Sequence, residues 1–215
     1  MTAHAFAPLP ELAATLLDHA LELDDGAHDL SHLQRVWANV RRIAEVDGGD
    51  LQVLLAATLL HDCVAVEKDS PLRAQASRMA AEQAALLLAG MGWAPAQIAA
   101  VVHAIEAHSF SAAIAPVTLE AKILQDADRL DSLGAIGVAR TFYVGGRLNH
   151  ALYDARDPHA RHREHDDSRF TLDHFHTKLL HLAQGFQTVT GARLAQVRHE
   201  RLRRFMDEFI DEIGG

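Results

Sequence analysis

Cysteine is nearly missing from this chain: Cys63 is the only one among 215 residues. An intrachain disulfide is therefore excluded, and a structural zinc site built on several thiolates is disfavoured. Aromatic residues reach only 6%, so Leu and Ala carry much of the apolar mass, and both favour helix over strand. No apolar run reaches membrane-spanning length. The N-terminus also lacks the basic segment and apolar core of a signal peptide. The expected location is the cytoplasm, with no membrane partner. Basic residues are outnumbered, 20 Lys and Arg against 29 Asp and Glu, for a net charge of −9. That balance argues against a nucleic-acid polymer as partner, whose phosphates need a basic surface. A small phosphorylated substrate stays compatible, because a bound cation can reverse the field inside a cleft.

Hydrophobic residues make up 49% of the chain, enough for one sizeable core. Residues 1–19 read as a lead-in and the start of a first helix, and 20–213 as one domain. Leu12, Leu16, Leu17, Ala20 and Leu23 are spaced for a helix over 11–23, stopped by the turn residues Asp24 to Gly26. Asp29 or Ser31 can cap the next helix, which ends near Gly48 and Gly49. The following run, LQVLLAATLLHDCVAV, is apolar on nearly every face and belongs at a bundle centre. Helices are also expected over 76–89 and, opened by Pro95, through AQIAAVVHAIEAH. Beyond Pro116 comes one interrupted helix or two joined ones, then a polar excursion over 147–169, mobile or ordered over a site, and a helical portion over roughly 171–211. No strand alternation demands a sheet, so the expected fold is all-α, a helical bundle. A homodimer is compatible, but no stripe marks its surface.

Several ionisable residues sit where they would sink into that core. His32 shares a partly apolar face with Val36, Asn39 and Ile43. His61 and Asp62 end the long apolar run, where a carboxylate must be paired, hydrogen-bonded or metal-bound. In QDADRLDSLG (125–134), Asp128 and Asp131 share a broad face with Leu124, while Lys122, Asp126 and Arg129 form another stripe suited to a surface charge set. Helical geometry prefers Asp128 over Asp126 as an inward ligand and leaves Asp128 and Asp131 undecided.

His32, the pair His61–Asp62 and Asp128 within ADR resemble the metal-binding set of HD-domain phosphohydrolases. HSFS at 108–111, LEAKILQDADRLDSLGAIGVART at 119–141 and TKLLHLAQGFQTVTGARLAQVR at 177–198 extend the likeness to roughly 20–213. These stretches look like small bacterial HD proteins, some of which act as nucleotide phosphohydrolases or pyrophosphohydrolases. The resemblance implies an HD-domain helical bundle in which His32, His61, Asp62 and Asp128 hold one divalent ion, and so it selects Asp128 over Asp131. Mixed nitrogen and oxygen ligation suits Mn²⁺, Fe²⁺, Co²⁺, Ni²⁺ or Zn²⁺, and Mg²⁺ is also admitted. The implied chemistry is attack of metal-activated water on the phosphorus of a small phosphorylated substrate, expected to be a nucleotide, including pyrophosphohydrolysis of a nucleoside triphosphate.

Around that centre, Asp62 and Asp128 are the expected catalytic ligands. His103, His108, Lys122, Arg129, Arg140 and Lys178 are the expected substrate contacts. Several HD enzymes carry an acid four residues after the histidine of the pair, where this chain has Ala65. Glu67 could take that role after a turn and Lys68 could touch phosphate; a plain charged loop is the alternative. The departure keeps open a nucleotide-binding regulator that retains the metal site with little turnover. The HHE and GYP elements of the cyclic-dinucleotide phosphodiesterase branch are absent. Cys63 has no evident base and reads as packing. The histidines of HARHREH (159–165) have no helix-face arrangement of the kind coordination demands.

Overall fold

The protein is described here from a computed structural model, which covers residues 3–20, 29–64, 66, 75–109 and 112–214. Glu67 and Lys68 lie outside the described residues, as does Ala65. The architecture is all-α, as its composition implies: among the described residues there is no sheet, only one isolated bridge between Ala151 and Phe170. The α-helices are α1 (Pro10–Leu16), α2 (Leu30–Asp47), α3 (Leu51–Leu60), α4 (Ala76–Gly90), α5 (Pro95–His108), α6 (Leu119–Leu130), α7 (Gly134–Arg147), α8 (Asp173–Thr177) and α9 (Val189–Glu212). The chain forms two compact units. Unit one comprises Met1–Asp128 and Gln187–Gly191; unit two comprises Arg129–Phe186 and Ala192–Gly215.

In unit one, α3 is the central helix. Every residue from Val53 to Leu60 is buried, and α3 packs against α1, α2 and α5. Its start is fixed by Asp50, whose Oδ1 accepts from the backbone N–H groups of Gln52 and Val53 at 2.8 and 3.3 Å. This is a side-chain cap, satisfying donors that have no partner within the helix. Asp29 does the same for α2, accepting from His32 N at 2.9 Å. The turn between the two helices needs left-handed backbone, supplied by Gly48 at φ +89° and Gly49 at φ +107°.

Asp126 departs from the sequence expectation. It is fully buried rather than part of a surface stripe with Lys122 and Arg129. Its carboxylate accepts from Gln187 N at 2.9 Å and from Thr188 N and Oγ1 at 2.8 and 2.7 Å, just ahead of α9. The reason is tertiary: donors supplied some 60 residues later satisfy a charge that helical spacing alone would put in water.

Unit two is built around stacked aromatics. Phe142 of α7, Phe175 of α8, and Phe205 and Phe209 of α9 lie with ring centroids 5.6–6.0 Å apart. The polar excursion begins where α7 ends at Arg147, just after Gly145 and Gly146. They lie in the last turn of α7, where Gly145 is buried and a Cβ would collide with the Thr171 side chain. The 147–169 excursion is ordered within its own unit. Ala151 N donates to Arg169 O and Thr171 N to Ala151 O, both at 2.9 Å, and Arg163 pairs with the buried Asp173. The expected helical portion over roughly 171–211 consists of α8, a short 3-10 turn (Leu179–His181) and α9.

Candidate metal centre

Two helices of unit one end on a histidine, and both use it in the same way. The last carbonyls of a helix have no intrahelical donor. At the end of α3 the His61 ring lies with Nδ1 2.8 Å from Thr58 O, and at the end of α5 the His108 ring lies with Nδ1 2.6 Å from Ile105 O. A carbonyl only accepts, so each Nδ1 carries the hydrogen and each Nε2 is left to face outward from its helix end. Helix termination thus sets the tautomer that a ligand requires. His32, in the capped first turn of α2, is the third ring. Its centroid lies 5.6 Å from that of His61, which is 4.8 Å from that of His108.

Two carboxylates complete the cluster. His61 Nε2 lies 3.3 Å from Asp62 Oδ2 and 4.0 Å from Asp128 Oδ1. Asp128 Oδ1 is also 3.5 Å from His32 Nε2, and Asp62 Oδ1 is 3.8 Å from His108 Nε2. The ligand atoms therefore form two overlapping sets, His32–His61–Asp128 and His61–Asp62–His108, each with its atoms within 4.8 Å of one another. The rings are buried, whereas the Asp62 and Asp128 side chains are 35% and 31% exposed. Imidazoles line the back of the site and carboxylates its mouth, so an ion can enter from the carboxylate side.

The donor set fits a divalent cation. His61 Nε2 is buried with no hydrogen-bond partner among the described residues, an arrangement that costs stability unless something fills the gap. Burial works against a charge on the His61 ring, but the carboxylates of Asp62 and Asp128 outweigh it and raise its pKa to about 9. A proton there takes the place of the positive charge that the carboxylates attract. Burial, and then the neighbouring His61, push the His108 pKa down. Three imidazoles and two carboxylates give the mixed nitrogen and oxygen shell suited to first-row transition ions.

Buried amides tie the ligand-bearing helices together. Asn39 Nδ2 of α2 donates to Ala127 O at 3.0 Å, one residue before Asp128. Gln125 Nε2 of α6 donates to Ala107 O at 2.7 Å, one residue before His108. Neither amide was assigned a site role from the sequence, because nothing local marks a carboxamide whose acceptor is 88 or 18 residues away.

The remaining sequence candidates fall elsewhere. His103 Nε2 accepts from Val117 N at 3.0 Å, and Lys122 is half-buried on α6. In unit two, Arg129 Nη1 donates to Gly185 O at 3.1 Å with its guanidinium over the Phe186 ring. Arg140 pairs with buried Asp131 at 2.8 Å, which accounts for the second inward aspartate, and Lys178 is exposed. Cys63 is buried, its Sγ 3.6 Å from Ala80 O, consistent with packing.

The HD domain family matches residues 29–133, a span that contains all five residues of the cluster. The chain is 31% identical to the uncharacterized protein YpgQ of Bacillus subtilis, covering 95% of this chain and 94% of that protein. A crystal structure of YpgQ in complex with ADP superposes with a TM-score of 0.71 at 28% identity, covering 95% of this chain and 97% of that one. A crystal structure of an HD-superfamily hydrolase from Bacillus thuringiensis does so with a TM-score of 0.71 at 31% identity, covering 99% and 98%.

Proposed function

The chain belongs to the HD superfamily of metal-dependent phosphohydrolases, and from that premise we propose that it hydrolyses a phosphate bond of a nucleotide, such as a nucleoside triphosphate releasing diphosphate. The observation that carries this reading is the convergence of three imidazoles and two carboxylates on the buried His61 Nε2. The nucleotide part is supported by the ADP complex of the similar YpgQ.

In this reading His32, His61, Asp62 and Asp128 hold the ion. Once bound, a divalent cation lowers the pKa of water and offsets negative charge at phosphorus. The carboxylates of Asp62 and Asp128 balance a 2+ charge, so an approaching phosphate meets neither net repulsion nor a deep trap. His108 presents its Nε2 beside Asp62 and, with its pKa lowered, enters the reaction neutral. That nitrogen accepts a hydrogen bond from water or a phosphate hydroxyl and, after taking a proton, donates to an anionic phosphate oxygen. Asn39 and Gln125 hold the ligand-bearing helices in register through buried amide bonds.

The test combines metal analysis of gently purified protein with a nucleotide panel under added Mn²⁺, Mg²⁺, Co²⁺ and Ni²⁺. Nucleoside monophosphate plus diphosphate identifies pyrophosphohydrolysis; nucleoside plus phosphate identifies a monoesterase. Asp62→Ala and Asp128→Ala are each expected to lose the ion and turnover together. Full activity in either variant removes that residue from the centre. Nucleotide binding without any product across the panel replaces hydrolysis with the regulatory reading.

A further inference from the structure

Unit two carries a second group of histidines that the proposed reaction does not use. His159 and His165 lie in the irregular stretch after α7, His176 is on α8, and His181 is in the 3-10 turn that follows. The rings of His165 and His176 are stacked, with centroids 4.7 Å apart and planes inclined by 30°. The centroid distance is close to the 4.8 Å between His61 and His108 in unit one, although those two rings meet edge to face. We infer that His165 and His176 form a second cation site, one that takes a borderline transition ion such as Zn²⁺, Ni²⁺ or Cu²⁺ through two imidazole nitrogens.

Three further observations support the assignment. Both side chains are exposed, so an ion reaches them without any opening of the fold. Partial burial of its ring, followed by the neighbouring His165, holds the His176 pKa below the ordinary histidine value. The ring is then neutral near pH 7, as a ligand must be. His159, whose protonation acts on that of His176, has a buried Nε2 with no hydrogen-bond partner among the described residues.

The surrounding acids select the ion. Asp173, beside the pair, is engaged by Arg163 and by Asp166 N at 2.7 Å. Asp167 is held by His174 Nδ1 at 2.9 Å and Thr177 Oγ1 at 2.8 Å. With these two carboxylates engaged, the pair offers mainly nitrogen, which disfavours Mg²⁺ and Ca²⁺ and ranks Cu²⁺ above Ni²⁺ and Zn²⁺. No third ligand atom completes a closed set with these two rings among the described residues, so water fills the remaining positions. The run HARHREH does not itself place two rings on one helix face. The pairing is made by the fold, which brings α8 back against His165.

The experiment is a Cu²⁺ titration of the full chain followed by electron paramagnetic resonance, in an Asp128→Ala background that weakens the centre of unit one. One copper per chain with two equatorial imidazole nitrogens is expected. His165→Ala and His176→Ala should each abolish that signal, and His150→Ala should leave it unchanged. Because both positions are exposed, His165→Gln and His176→Gln guard against a local folding defect and should give the same loss. On the chain without Asp128→Ala, uptake should fall by one equivalent in each histidine variant. The inference is overturned by a two-nitrogen copper signal that survives both substitutions, by one that His150→Ala removes equally, or by the absence of such a signal at one equivalent.

Discussion

His61 joins fold and chemistry in one side chain. Its Nδ1 closes the end of α3 on Thr58 O, and its Nε2 faces Asp62 and Asp128. Leu60 and His61 therefore do different work in adjacent positions, one filling the core and the other ending the helix at the site. In sequence the pair His61–Asp62 stands out as an ionisable dipeptide that ends an apolar run, but its ligand role is implied by the resemblance to HD-domain phosphohydrolases and not by that pattern alone. Asp126 was not legible, since its partners come from residues 187 and 188. A single-residue prediction concerns Asp173 in unit two. Burial raises its pKa, but hydrogen bonds from Arg163 and Asp166 N outweigh this and hold the carboxyl below the usual range. A group with a depressed folded pKa contributes stability above its unfolded value, near 4, and loses it as pH falls through the lower folded value. Acid titration of thermal stability should therefore show a loss below about pH 4 that shrinks in Asp173→Asn. An unchanged acid limb in that variant would refute the assignment.

Helices place the ligands, and their ends matter more than their middles. Asp29 caps the turn that carries His32, while His61 and His108 each satisfy a carbonyl at the end of their own helix. The cap at Asp29, the Pro95 start of α5 and a break in the helical run after Pro116 could be read from sequence, because each depends on nearby residues. The place of Gly145 inside α7 could not, since only the fold brings Thr171 against it. Gln125 offers the sharpest test at this scale. Replacing it with Leu leaves Ala107 O without its donor, at a cost of about 1–3 kcal/mol. Gln125→Leu should lower the melting temperature and weaken Mn²⁺ binding by loosening α6, which carries the ligand Asp128, against α5. Equal metal affinity in a destabilised but folded variant would confine the amide to a packing role.

At the scale of the whole molecule, the five clustered residues all belong to unit one. An ion that binds only the folded site stabilises that unit by mass action. Removal of the ion with a chelator should therefore speed amide hydrogen exchange in the helix ends that carry His32, His61, His108 and Asp128, with a smaller change across α7 and α8. Uniform deprotection of both units would contradict a centre confined to unit one. The acidic balance of the chain fits this division of labour: the cation, rather than a basic surface, provides the positive charge that a phosphate needs.

Anomalous diffraction from crystals loaded with Mn²⁺ tests the central claim most directly. The account predicts a manganese peak within coordinating distance of His32 Nε2, His61 Nε2 and the carboxylates of Asp62 and Asp128. A fully loaded crystal with its manganese elsewhere, and these four side chains sharing no ion, would contradict it.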